Sequence, residues 1–161
     1  MHRPIRRRQS TRLRGYDRQG GAYFVTLCTE RRRLLFGDVS NAEVQLNAIG
    51  QLVSSTWSAL PDHYVGVGLD AFVVMPNHLH GLVVLSADAV ISLPEVVHRF
   101  KSLTATRWRQ MCRPAEESRL WQRNYYDHVV RNEIDLARIR QYIAENPARW
   151  AEDPEHPARP A

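Results

Sequence analysis

Two runs rich in strand-forming residues, Val65 to Met75 and Leu79 to Leu85, lie almost end to end with Pro76-Asn77 between them. Pro and Asn are turn formers, and a gap this short admits only an antiparallel neighbour, so the pair predicts the central hairpin of a sheet. A chain built around such a hairpin must cover at least one sheet face, and the rest of the sequence supplies the cover. Ala22 to Cys28 is short, aromatic and β-branched, and reads as a further strand. Val44, Leu46, Ile49, Leu52, Val53, Trp57 and Leu60 keep a helical period from an N-cap at Asn41 to a stop at Pro61, interrupted in propensity by Gly50. Leu93 to Met111 reads as a second helix opened by Ser92 or Pro94, and Cys112 to Ser118 as a loop. Residues 121 to 131 predict a fourth strand, and Glu133 to Glu145 a last helix stopped by Pro147. The tail after Trp150 holds three prolines and reads as irregular. The order fits an α+β sandwich, an antiparallel sheet covered by helices.

At 161 residues the chain has room for one domain with a real core. The organisation expected is a flexible basic arm over residues 1–20, a folded domain over 21–150 and a tail over 151–161. No apolar run is long enough to cross a bilayer and no secretory leader is visible, which disfavours a membrane partner. Cys28 and Cys112 have neither disulfide-framework nor zinc-finger spacing, so a reducing cytoplasm is the expected setting.

The charge is lopsided. Residues 1 to 33 carry ten arginines against Asp17 and Glu30, while the remainder has a slight acidic excess. Lys101 is the only lysine among 22 basic residues. Arginine offers a planar fork for phosphate and stacks on bases, so this arm, including Arg6, Arg7, Arg8, Arg12 and Arg14, is expected to contact nucleic acid.

Two constellations can carry chemistry. In Met75-Pro76-Asn77-His78-Leu79-His80 the two histidines are two apart on a strand, so both imidazoles project from one face and Leu79 from the other. That places two nitrogen ligands for one metal ion, or two strand-end histidines bonding nearby carbonyls. On the last helix Tyr142 and Asn146 lie one turn apart and share a face. They offer a nucleophilic phenol and an amide oxygen for the same ion, or a core aromatic and an ordinary helix-end residue. Glu145 competes as a third ligand, and His128, Tyr125 and Tyr126 are weaker candidates for phosphate or base contact.

Taken together, Gly21-Ala22-Tyr23-Phe24-Val25-Thr26, Val73 to Gly81, Trp121 to His128 and Tyr142-Ile143-Ala144-Glu145-Asn146-Pro147 resemble the REP-associated tyrosine transposases, relatives of the single-tyrosine HUH insertion-sequence transposases. The likeness runs in order from about residue 12 to residue 150. It implies the HUH endonuclease fold, a ferredoxin-like or RRM-like antiparallel sheet with helices on one side. It implies His78, His80 and Asn146 as ligands of a divalent ion, Mg²⁺ or Mn²⁺, and Tyr142 as the nucleophile. It further implies cleavage and rejoining of single-stranded or hairpin DNA through a 5′-phosphotyrosine, with no nucleotide cofactor, by a monomer or homodimer. Two rival readings keep the fold without the chemistry: a catalytically silent DNA-binding module, and an RNA binder stacking bases on sheet aromatics such as Tyr23 or Phe24.

Overall fold

The computed structural model describes residues 20–158. Strand β1 (Gly21–Cys28) leads through a small hairpin, β2 (Gly37–Ser40) and β3 (Glu43–Leu46), into helices α1 (Ala48–Ser58) and α2 (Leu60–His63). Strands β4 (Val67–Met75) and β5 (His78–Leu85), helix α3 (Leu93–Cys112), strand β6 (Tyr126–Val129) and helix α4 (Glu133–Glu145) complete the order. The main sheet runs β4-β5-β1-β6 with every neighbouring pair antiparallel, the strand order of a ferredoxin-like fold.

The sheet's two faces have different work. Tyr23, Val25 and Leu27 of β1 and Leu79 and Val83 of β5 pack with Val53 and Trp57 of α1 and Val96, Phe100 and Trp108 of α3, forming the main core. The alternate residues, Phe24 of β1 and Leu82 of β5, meet Ile139 and Ile143 of α4 in a separate small cluster. The helices within the βαββαβ unit therefore cover one face, as expected, and α4 lies across the other. The close approach of α1 to the sheet is set by Gly81, where a Cβ would come within 2.6 Å of the Trp57 ring.

Helix ends follow their capping residues. Ser92 and Glu95 make a reciprocal capping box at the start of α3, and Arg113 closes its far end in the left-handed conformation at φ 43°. The Asn132 side chain accepts from Asp135 N at 2.9 Å to start α4.

Three expectations need correction. The first helix begins at Ala48, not Asn41, because residues 37–46 pair as a hairpin whose turn places Asn41 and Ala42 at positive φ. Val44 and Leu46 alternate as in a strand, but Leu46 also lies at helical spacing from Ile49 and Val53, which hid the hairpin. Asn47 is the true cap, accepting from Ile49 N and Gly50 N at 3.0 Å. Gly50 is no defect either, since a Cβ there would lie 2.1 Å from Phe36 O. The strand expected over 121–131 shrinks to four residues. Upstream of it, the carbonyls of Gln122 and Asn124 turn toward Lys101 Nζ, at 2.9 and 3.2 Å, instead of joining a ladder. The tail is not wholly irregular: Trp150–Glu152 forms a 3-10 turn, and Asp153 after it is buried.

Candidate active site

β5 opens on His78, so the strand's alternation sends His78 and His80 to the α4 side while Leu79 enters the main core. Their ring centroids are 4.4 Å apart. Each ring is oriented through its Nδ1. His78 Nδ1 lies 2.8 Å from Asn77 Oδ1. The Asn77 amide is itself fixed by donating Nδ2 to Glu155 O at 2.8 Å and Arg32 O at 3.2 Å. An amide oxygen only accepts, so Nδ1 of His78 carries the proton and Nε2 keeps a lone pair. His80 Nδ1 meets Thr26 Oγ1 at 2.8 Å across the β1–β5 pair, turning its Nε2 toward the same space.

α4 brings Tyr142 to that space. Its hydroxyl lies 3.4 Å from His80 Nε2, and its ring meets Phe24 edge-on at 6.0 Å. It is 38 % exposed, so it is not the core aromatic that periodicity alone allowed. Burial pushes its phenol above the ordinary tyrosine range, and the charges of Asp153 and Glu155 add in the same direction. Asn146, one turn on, is 3 % exposed.

A fifth group, which the sequence reading missed, comes from the tail. Asp153 is 3 % exposed and accepts from Asn146 Nδ2 at 2.7 Å. Its Oδ2 stands 3.7 Å from His78 Nε2 and 3.9 Å from His80 Nε2. Burial drives His78 toward the neutral imidazole, and the neighbouring His80 adds to this against the pull of Asp153. Burial would raise the Asp153 carboxyl, but the facing imidazoles, His80 foremost, outweigh that and hold it below the ordinary range. Asn77 and Thr26 could have been flagged as the residue before the first histidine and the cross-strand partner of the second. A lone Asp among prolines carried no such signal.

The donor set suits a divalent cation. His78 Nε2 and Asn146 Oδ1 are buried and have no hydrogen-bond partner, and two imidazoles with an amide oxygen offer neutral lone pairs. Of the remaining candidates, Glu145 turns away to Arg149 at 3.3 Å and to Gln141 Nε2 at 2.7 Å, so it is not a ligand. His128 Nε2 bonds Asp135 Oδ2 at 2.8 Å. Tyr125 packs against the main core and Tyr126 against the α4 cluster, on opposite faces as the strand period requires. Arg6, Arg7, Arg8, Arg12 and Arg14 lie outside the described residues.

Residues 20–146 match the family model described as Transposase IS200 like. The chain belongs to the IS200-like transposase family. Among its relatives in that family, an uncharacterized protein of Haemophilus influenzae is 35 % identical, the match covering 92 % of this chain and 93 % of the relative. The REP-associated tyrosine transposase of Escherichia coli K12 is 25 % identical over 84 % of this chain and 72 % of its own length. A solved REP-associated tyrosine transposase, bound to a REP hairpin, superimposes on this IS200-like chain with a TM-score of 0.60 at 21 % identity, covering 82 % of this chain and 69 % of that one. Its fold is the one described above. Among the described residues no helix is long and apolar enough to cross a membrane.

Proposed function

We propose that this family member cuts and rejoins single-stranded DNA at or beside a hairpin, with Tyr142 as nucleophile and a divalent ion, Mg²⁺ or Mn²⁺, held by His78, His80 and Asn146. The observation that carries the reading is the convergence of the Tyr142 hydroxyl, 3.4 Å from His80 Nε2, with buried metal-ready lone pairs on the same sheet face. When bound, the ion supplies Lewis-acid polarisation of the scissile phosphate. The protein's own residues do the rest. Asn77 holds His78 in the ligand tautomer and Thr26 fixes the orientation of the His80 ring, as outer partners do in metal sites. Phe24 seats the tyrosine ring from below. The Tyr142 oxygen forms a bond to phosphorus as the bond from phosphorus to the 3′ oxygen breaks. The phenolic proton leaves for solvent or the departing oxygen, giving a 3′-hydroxyl and a 5′-phosphotyrosine. Attack of another 3′-hydroxyl reverses the step without ATP.

A hairpin substrate is supported by the solved relative bound to a REP hairpin, and the Arg-dense segment ahead of the domain suits its phosphates. An RNA binder that stacks bases on Tyr23 or Phe24 is disfavoured, because both rings are buried, Tyr23 in the main core and Phe24 beneath Tyr142.

The test is incubation with labelled hairpin DNA from sequence flanking the gene, with Mn²⁺ or with EDTA, read on denaturing gels. A metal-dependent protein–DNA adduct present in wild type and absent from Tyr142→Phe is expected. Tight DNA binding with no adduct across several hairpins would replace this reading with a silent binder.

A further inference from the structure

The geometry points to Asp153 as an anionic metal ligand supplied by the C-terminal tail, completing with His78, His80 and Asn146 a four-residue site. The inference rests on the reading that the histidine pair holds a divalent cation.

The argument is one of unpaired lone pairs. With the Nδ1 proton committed to Asn77, His78 Nε2 presents a lone pair, and it faces the Oδ2 of a buried carboxylate at 3.7 Å. His80 Nε2 faces the same oxygen at 3.9 Å. Both separations exceed a hydrogen bond. His78 Nε2 and Asp153 Oδ2, two acceptors facing one another across a buried gap, repel unless a cation lies between them. The gap has the right size. Two atoms each about 2.1 Å from one ion lie roughly 3.0 Å apart at a right angle and roughly 3.4 Å apart at the tetrahedral angle. The Asp153 oxygen stands within about half an ångström of the tetrahedral spacing from each imidazole nitrogen, and the three ligand atoms form one group within 4.8 Å of one another.

The tail is built to deliver this oxygen. Asp153 Oδ1 is occupied within its own turn, accepting from Glu155 N at 2.7 Å, which leaves Oδ2 for Asn146 and the gap. Glu155 fastens the segment through its carboxylate to Arg32 Nε at 3.2 Å, and its carbonyl accepts from Asn77 Nδ2 at 2.8 Å. Trp150 lies over the His78 ring, with centroids 6.0 Å apart. The Asn77 side chain thus ties together the tail and the first histidine.

The carboxylate changes the site's electrostatics. Two imidazoles and an amide leave a bound dication with its full charge, whereas Asp153 removes one unit, holding the ion more tightly.

Mn²⁺ binding measured by the electron paramagnetic resonance signal of the free aquo ion, with no DNA present, tests this. Asp153→Asn, which keeps the size and the Oδ1 acceptor, is expected to weaken Mn²⁺ at least ten-fold, and Asp153→Glu to recover part of the loss. Mn²⁺ is expected to raise the Tm of wild type and to raise that of Asp153→Asn much less, while the two melt alike in EDTA. If His78→Ala and His80→Ala lose Mn²⁺ but Asp153→Asn binds it as wild type does, the ligand role is overturned and Asp153 is left only orienting the Asn146 amide. If neither wild type nor any variant binds Mn²⁺, the metal reading of the histidine pair fails with it. Should Asp153→Asn not fold, Asp153→Glu carries the test: affinity unchanged from wild type despite a carboxylate displaced by a methylene overturns the assignment.

Discussion

Thr26 shows how far a single side chain can act from the chemistry it serves. Its hydroxyl is 2.8 Å from His80 Nδ1 and does no other work among the contacts described. Thr26→Val keeps the shape, leaves the ring free to rotate or change tautomer, and is expected to lower Mn²⁺ affinity by about 10–100-fold with Tm little changed. Calorimetric titration with Mn²⁺ checks it. Lys101 is the opposite case. The chain's one lysine places Nζ 2.9 Å from Gln122 O, 3.5 Å from Arg123 O and 3.2 Å from Asn124 O. Three carbonyls converging on a point suit a compact ammonium and not a planar guanidinium, which accounts for lysine surviving here in an arginine-rich chain. Lys101→Met keeps the stem but abandons those carbonyls, and is expected to cost about 1–3 kcal/mol of stability in urea unfolding.

At the scale of elements, α4 is the piece that brings Tyr142 to the sheet. It rests on the sheet through a small apolar cluster and through the Asp70–Arg140 pair, Arg140 Nε to Asp70 Oδ1 at 2.8 Å and Nη2 to Oδ2 at 2.6 Å. Arg140 holds the Asp70 carboxyl below its usual range, against a smaller opposing effect of burial. A carboxyl depressed on folding stabilises at pH values above its unfolded pKa of about 3.9, and the gain is lost as pH falls through the folded value. Asp70→Asn is therefore expected to melt earlier than wild type at pH 7, with the difference in Tm shrinking as pH falls below about 4 and gone once pH lies below the folded value. The same element explains why some of the site was readable and some was not. Tyr142 and Asn146 share a helix face by simple period, and His78 and His80 share a strand face by alternation. The hairpin over 37–46 was hidden because Leu46 fits both the strand alternation with Val44 and the helical spacing to Ile49 and Val53, and only the positive φ of Asn41 and Ala42 decides between them.

Over the whole molecule, the sheet separates stability from chemistry. The main core is made by one set of alternating residues with α1 and α3, and the candidate site by the other set with α4 and the tail. Trp57, wholly buried and edge-on to Phe100 at 5.0 Å, belongs to the first set. Trp57→Ala is expected to cost about 3–5 kcal/mol, enough to unfold much of the chain at 37 °C, as circular dichroism melts would show. Topology was legible because each strand and helix of the βαββαβ unit announces itself locally. The tail's part was not, because Asp153 reaches the histidines through contacts that span more than seventy residues and leave no periodic trace.

The alternation of β5 has a consequence for descent. Because His78 and His80 point away from the residues of the main core, a descendant can lose either imidazole and keep that core; under the proposed function it would be inherited as a protein that grips its target without cutting it. On that reading, the step from cutting enzyme to silent binder is one substitution wide.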